Sequence, residues 1–324
     1  MGLAIVARQP GGPEMLTAVN LTESRPGPGQ AALRHTAIGV NFIDTYFRSG
    51  LYPWPVENDL LLGAEAAGVV EEVGEGVIEF TPGQRVAYTL PHGAYTTRRV
   101  VDARHLVPLP DSVSNEAAAA SMLKGLTAYY LLHHSYQVSE GDTVLFHAAA
   151  GGVGLLAGQW LAHKGVRAIG TAGGPEKCAL ARAHGYADVI DYKAEDFAER
   201  VRELTGDAGV AAVYDSVGAD TFAGSLASLA PFGTLVNFGQ SSGPVTGFQV
   251  SDLSAGSYTL TRPVLFHFTT SRAWLTGAAR ELFALIADGV LKVEVNQRYP
   301  LADAAEAHRA LEARATTGST ILVP

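Results

Sequence analysis

Residues 147–154 read HAAAGGVG, three alanines and three glycines run together directly after the apolar stretch TVLF. Small side chains bury little apolar area, and glycine loses the most backbone freedom on folding, so the cluster needs a reason. A glycine turn between a strand and a helix is a place where backbone can approach a phosphate closely. A tight turn or a close helix–strand crossing accounts for most such clusters taken alone. The flanking sequence decides between them.

From Thr143 onward, short β-like runs alternate with amphipathic helical runs. TVLFHA reads as a strand, and beyond the glycines Val153, Ala157, Trp160, Leu161 and Lys164 recur at helical spacing. Gly165 stops that helix and VRAIGT follows as a strand. Pro175 opens a second helix that ends before Gly185. Strands at ADVID, VAAVYDSV and TLVNFG are separated by helices at EDFAERVREL and TFAGSLASL. Repeated β-α-β units spell a doubly wound parallel sheet covered by helices, an α/β fold of the dinucleotide-binding kind. Residues 1–124 have another character. AALRHTAIGV, AAGVVEEVG, GQRVAYTL and AYTTRRVV are short, alternating and punctuated by glycine and proline, which suits a small β-rich domain. EAAAASMLKGLTAYYLLHHSY reads as helix, and the tail after about 265 offers helices at ARELFALIADG and ADAAEAHRALEA before a last strand, STILVP.

Composition limits the function classes. The 324 residues are 47% hydrophobic and 17% charged, enough for about two globular domains. No apolar run approaches the roughly 18 residues of a membrane span, and the N-terminus meets charge and proline too early for a secretory signal. One cysteine, Cys178, rules out an internal disulfide and fits a reducing compartment. A formal net charge of −9 argues against general nucleic-acid binding. The expectation is a cytoplasmic protein.

Against the fingerprint G-x-G-x-x-G, residues 149–154 read A-A-G-G-V-G. Ala149 takes the first glycine's place, Gly151 would let backbone near the pyrophosphate, and Gly154 would let the helix pack on the strand. An acid about 20 residues on usually holds a free ribose 2′-hydroxyl. Here the second strand ends in Thr171-Ala172-Gly173-Gly174-Pro175-Glu176-Lys177. Glycines leave room and Lys177 supplies a cation, which suits the 2′-phosphate of NADPH, although Glu176 could instead reach a ribose and Lys177 could be a solvated helix-start lysine.

GVNFIDTYFRSGLY (39–52), GAEAAGVVEEVG (63–74), LKGLTAYYLL (123–132), HAAAGGVG, VYDSVG (213–218), NFGQSSG (237–243) and the closing RATTGSTILVP together resemble the zinc-independent NADPH:quinone oxidoreductases. These are zeta-crystallin-like members of the medium-chain dehydrogenase/reductase superfamily. The resemblance covers essentially the whole chain. It implies a GroES-like catalytic domain over 1–124, completed by 266–324, and a Rossmann NADPH-binding domain over 125–265, with the cofactor in the cleft between them. It implies cofactor contacts at Asn41, Tyr46, Tyr130, Gly151, Gly152, Val153, Gly173, Lys177, Tyr192, Ser216, Phe238, Gly239, Ser241, Leu265, Phe266 and Arg314. Of these, Gly173, Lys177 and Tyr192 would surround the 2′-phosphate. Asn41, Tyr46 and Tyr52 are the candidate catalytic residues. Each tyrosine could equally be packing in a wall, and water could supply the proton.

Zinc-dependent relatives place a cysteine and a histidine where this chain has Asn41 and Ala64, and a single cysteine cannot make a four-cysteine lobe, so no metal is expected. A quinone is already electrophilic and needs positioning and a hydrogen-bond donor more than a Lewis acid. The expected partners are a small-molecule quinone and a second copy of the chain in a homodimer joined through the Rossmann sheet edge. Two alternatives stand beside quinone reduction. One is reduction of enones or other activated alkenes; the other is a zeta-crystallin-like NADPH-binding structural or RNA-binding role. Asp44 reads as a turn cap.

Overall fold

The alternating stretches near the N-terminus become strands, as a period of two requires. The computed structural model describes residues 2–22, 24–57 and 59–324. In chain order it begins with β1 (Gly2–Ala7), β2 (Leu16–Leu21), β3 (Gln30–Val40), α1 (Phe42–Ser49), β4 (Leu60–Leu61) and β5 (Glu65–Val73). Then come β6 (Arg85–Thr89), β7 (Arg98–Asp102), β8 (Val107–Pro108) and α2 (Asn115–Tyr130). The long helical run read from the sequence ends as α2 at Tyr130, then widens into a π-turn over Leu131–Ser135.

The β-α-β region follows as β9 (Thr143–Phe146), α3 (Gly152–His163), β10 (Arg167–Ala172), α4 (Pro175–Ala183) and β11 (Asp188–Asp191). It continues with α5 (Phe197–Thr205), β12 (Val210–Asp215), α6 (Phe222–Ala227), β13 (Leu229–Asn237) and β14 (Thr259–Thr261). Its six strands lie in the order β11-β10-β9-β12-β13-β14, every pair parallel. By order of appearance this is 3-2-1-4-5-6, the doubly wound arrangement, and the winding reverses between β9 and β12. The three-residue β14 carries two threonines and no apolar run, so no strand signal is readable there from sequence. Leu145, Ile169, Ile190, Val213 and Leu235 fill the core of this sheet. They are near-continuous apolar strands, as a sheet covered on both faces demands.

The chain ends with α7 (Leu265–Phe268), α8 (Arg272–Ala287), β15 (Val295–Pro300), α9 (Ala304–Glu312) and β16 (Ser319–Val323). α8 starts earlier than ARELFALIADG because Ser271 caps it, its hydroxyl accepting from Trp274 N at 3.3 Å. β16 pairs with β3, giving a seven-stranded sheet in the order β15-β16-β3-β5-β6-β8, with β7 also on β3. Leu33, Ile38, Val70, Val86, Tyr88, Leu106 and Leu322 belong to its core. The residues group into two units: one runs to Leu126 and includes Phe266–Pro324, the other is Thr127–Leu265.

In the second unit, α3 lies so close to the turn before it that only glycine fits at 154. A Cβ there would collide with the Ala148 carbonyl oxygen and sit 2.7 Å from that of Ala149. One turn on, a Cβ at Gly158 would meet the Tyr186 ring and lie 2.6 Å from His184 O. Tyr186 hydroxyl donates to Gly154 O at 2.8 Å, completing the seam. Gly154→Ala should therefore overpack α3 against rigid backbone and cost about 1–3 kcal/mol of stability, read as a lower urea midpoint at unchanged m-value.

Candidate active site

The glycine turn of the second unit is closed by its own backbone. Gly151 N donates to Ala148 O at 2.9 Å, and Ala149 N donates to Thr171 O on β10 at 2.9 Å. Ala148, not a glycine, takes the left-handed conformation at φ 54, a strained state for alanine. Gly151 is extended at φ −83 and ψ 170, which any residue adopts, and a Cβ there would meet only Ala148 O, at 3.2 Å. Backbone conformation does not ask for glycine at 151, and packing asks for it far less than at 154. Gly152 and Val153 are the first helical residues of α3, and no side chain among the described residues caps this end. The N–H groups of the first turn carry the positive end of the helix dipole without a side-chain acceptor.

Below the turn lies a buried polar link. His147 Nδ1 is 2.9 Å from Thr171 Oγ1 and Nε2 is 3.0 Å from Ser225 Oγ, while Ser225 donates to Asp215 Oδ2 at 3.0 Å. With Ser225's proton committed to Asp215, Nε2 carries the imidazole hydrogen and Nδ1 accepts from Thr171. Burial holds His147 below its usual pKa, in keeping with a neutral ring. Fully buried Asp215 also accepts from Val217 N, Gly218 N and Thr221 Oγ1 at 2.8, 3.0 and 2.9 Å.

At the next strand end, Asp191 Oδ1 accepts from Gly174 N at 2.9 Å and Lys193 N at 3.0 Å, which holds this carboxyl below the usual carboxylate range. A Cβ on Gly173 would lie 2.5 Å from the Tyr192 hydroxyl oxygen and 3.2 Å from Lys193 Cε. Gly173, Tyr192 and Lys193 therefore share one place. Lys177 stands half-buried in the first turn of α4. Lys193 was not singled out from the sequence; the DYK run at the end of β11 was its signal.

Four further expected residues meet at the end of β13. Ser241 N donates to Ser216 O at 3.2 Å, and a Cβ on Gly239 would sit 2.6 Å from the same oxygen. Phe238 N donates to Asp215 O at 2.8 Å. Arg262 fixes the loop by donating to Asn237 Oδ1 at 2.5 Å and Gly239 O at 2.9 Å. Asn237 is buried, and its Nδ2 has no hydrogen-bond partner among the described residues. Tyr130 and Leu265 are both buried.

The remaining expected residues belong to the first unit. Tyr46 and Tyr52 come together, ring centroids 5.2 Å apart, with Tyr52 edge-on to Phe47 at 5.6 Å. Asn41 precedes α1 and its Nδ2 donates to Glu65 Oε1 at 2.9 Å. Lys124 Nζ donates to the same oxygen at 2.6 Å, and Leu123 N to Oε2 at 2.6 Å. Glu65 is fully buried and Lys124 is 6% exposed. Phe266 is half-buried in α7, and Arg314 is exposed at φ 54 just past α9. Among the described residues no three His, Cys, Asp or Glu side chains converge as metal ligands. Asn41 and Ala64 offer an amide and a methyl, and Glu65 already meets three donors, a poor donor set for zinc.

Asp44 caps α1, its Oδ2 accepting from Asn41 N at 2.9 Å and Tyr95 hydroxyl at 3.0 Å. The chain continues inward: Tyr95 Oη is 2.9 Å from His308 Nε2, Arg48 Nη1 is 3.2 Å from Nδ1, and Arg48 pairs with both oxygens of Glu312. Arg48 only donates, so Nε2 holds the hydrogen and Tyr95 passes its own to Asp44. Asp44 Oδ1 has no partner among the described residues.

Residues 27–111 match the alcohol dehydrogenase GroES-like domain family, and residues 184–322 match the zinc-binding dehydrogenase family. Over 316 residues the chain is 52% identical to a quinone oxidoreductase of Pseudomonas aeruginosa, covering 97% of each chain. It superposes on the crystal structure of Escherichia coli quinone oxidoreductase complexed with NADPH with a TM-score of 0.97 at 48% identity, covering 99% of this chain and 100% of that one. It is 44% identical over 332 residues to a 2-haloacrylate reductase from a Burkholderia species, covering 100% of this chain and 99% of the relative.

The buried ionisable groups of the first unit set a pH dependence of opposing signs. Burial raises Asp44 from 3.8 to about 7, so the stability of its protonated form is fully present below 3.8 and lost as pH rises through 7. Burial lowers His35 and His308 from 6.5 to about 4 and about 3, so their contribution is present above 6.5 and lost as pH falls. Asp44→Asn removes only the first. From pH 5 to pH 8 its stability should rise relative to wild type by roughly 1–3 kcal/mol, measured by urea unfolding at both pH values.

Proposed function

The chain belongs to the quinone oxidoreductase family, and from that premise we propose that it reduces quinones with NADPH. The turn at 147–154 carries this reading. Glycine at 151 is not demanded by its dihedrals and only mildly by its packing, and it stands before a helix end that no side chain among the described residues caps. Such a place accommodates a pyrophosphate against bare backbone.

NADPH supplies the hydride when bound. Gly151, Gly152 and Val153 would hold its pyrophosphate by backbone N–H groups, while Lys177 and Lys193 with Tyr192 and Gly173 would hold the 2′-phosphate. Ser216, Phe238, Gly239, Ser241 and Leu265 would line the nicotinamide side. Tyr130 and Phe266 are placed with the cofactor, and Arg314 with a phosphate, by their match to the family motifs. In the first unit, Asn41 would orient the nicotinamide ribose or the substrate oxygen, and Tyr46 and Tyr52 would stack on or donate to the quinone. One hydride and one proton from water convert a quinone to a hydroquinone, so these residues need to position and exclude, not to ionise.

The protein acts in the cytoplasm as a homodimer. β14 is an edge strand of the parallel sheet, and the neighbouring segments expose Phe232 at 79% and Val250 at 78%, apolar surface that a second copy would cover. No helix among the described residues is long and apolar enough to cross a membrane. Likeness to a 2-haloacrylate reductase keeps activated alkenes as a second acceptor class.

Purified protein should consume NADPH, followed by loss of nicotinamide absorbance, with simple quinones and far more slowly with 2-haloacrylate. The reverse preference would select the second reading, and no oxidation with either would refute both. Lys177→Ala should weaken NADPH binding by about 1.5–3 kcal/mol, the worth of a charge-assisted contact, and leave NADH binding nearly unchanged. Equal losses for both cofactors would show that Lys177 does not read the 2′-phosphate.

A further inference from the structure

Glu65 and Lys124 form an ion pair whose burial needs explaining, because such a pair is at best a weak source of stability once both ions are desolvated. The carboxylate is immobilised by three donors: Asn41 Nδ2 and Lys124 Nζ on Oε1, and Leu123 N on Oε2. Room for it is made by Gly39, where a Cβ would collide with Oε1. The carboxylate in turn fixes the ammonium beside the amide of Asn41, since both nitrogens share one oxygen. An ammonium has three N–H donors. The hydrogen bond found for Lys124 among the described residues is the one to Glu65 Oε1. The other donors stand beside the residue assigned to orient the substrate. A cation with spare donors, held still and 6% exposed, is a group prepared for charge that appears on something else.

Resting on the quinone-reductase reading, we propose that Lys124 is a catalytic residue whose ammonium donates a hydrogen bond to the substrate oxygen that becomes negative during reduction. Hydride adds to the quinone, an electron pair moves onto a carbonyl oxygen, and that oxygen, hydrogen-bonded to Lys124, takes its proton from water. Lys124 keeps its own protons throughout. Glu65 is a positioning residue: it aims the ammonium and the Asn41 amide together.

Removing only Lys124 would leave a buried carboxylate unpaired, so the test uses a neutral pair, Lys124→Met with Glu65→Gln, in which the glutamine carbonyl still accepts from Asn41 while its NH2 faces the Leu123 N–H at some cost in stability. Two equilibrium readings accompany the rate: NADPH affinity by fluorescence, and affinity of the NADP⁺-loaded protein for 4-nitrophenolate, an anionic stand-in for the product. The double variant should stay folded with a somewhat lower thermal midpoint, keep its NADPH affinity, lose about 100-fold in kcat/KM for quinone and lose phenolate binding by at least about tenfold. Lys124→Arg, which keeps the cation, should retain most of the phenolate affinity. A folded double variant with wild-type phenolate affinity and kcat/KM would overturn the proposal and make the pair purely structural. Wild-type protein that binds phenolate through Lys124 yet reduces no quinone would refute the quinone reading alone.

Discussion

A parallel sheet presents its ligand loops at the carboxyl ends of its strands, where the ladder stops and backbone must find other support. In the second unit that support is the neutral imidazole of His147. One ring nitrogen takes the hydroxyl of Thr171 at the end of β10, and the other reaches Ser225 and through it Asp215 at the end of β12. Three adjacent strand ends are thereby joined beneath the surface. They carry the glycine turn, the Gly173–Lys177 segment and the Ser216 loop, which the proposed function assigns to three parts of one dinucleotide. A histidine suits this position because a neutral ring donates at one nitrogen and accepts at the other, so both ring nitrogens are satisfied without adding a buried cation.

The first unit solves a related problem with charge. Asn41 and Tyr46 sit at or near the start of α1, and two buried carboxyl groups control that start. Asp44 takes the Asn41 backbone N–H, and Glu65 takes its side-chain amide. The two carboxyls are handled differently. Glu65 faces an ammonium and two further donors, whereas Asp44 meets only neutral donors and burial raises its pKa. The first arrangement stabilises an anion; the second favours a neutral acid. An amide held from both ends has little freedom, and that suits a group meant to orient a ligand.

Much of this was legible in the sequence because it follows from local rules. The β-α-β succession, Pro175 opening α4, Gly165 closing α3 and Asp44 as a cap each rest on period or on one residue's backbone preference. What stayed hidden depends on residues far apart in the chain. The His147 link joins positions 78 apart, and Lys124 reaches Glu65 across 59 residues. LKGLTAYYLL was visible as a motif, yet nothing in its spacing reveals which side chain its lysine meets. Lys193 was missed for a simpler cause: on its own it reads as one more surface lysine, and only folding brings it across from Gly173. β14 is too short and polar to give a strand pattern, and exists because β13 offers an edge.

The glycines of HAAAGGVG look interchangeable in the sequence and are not. Gly154 is glycine because the carbonyls of Ala148 and Ala149 already fill the space a side chain would take, which is a packing requirement internal to the fold. Gly151 is under a milder demand, since a Cβ there would lie 3.2 Å from the Ala148 carbonyl oxygen. The residue that does adopt a left-handed backbone is Ala148, where glycine would have removed the strain. A chain selected only to make this turn would place its glycine at 148 and tolerate a side chain at 151. It does the opposite, and a phosphate lying against the backbone at 151, as in the proposed function, accounts for that choice better than the turn alone.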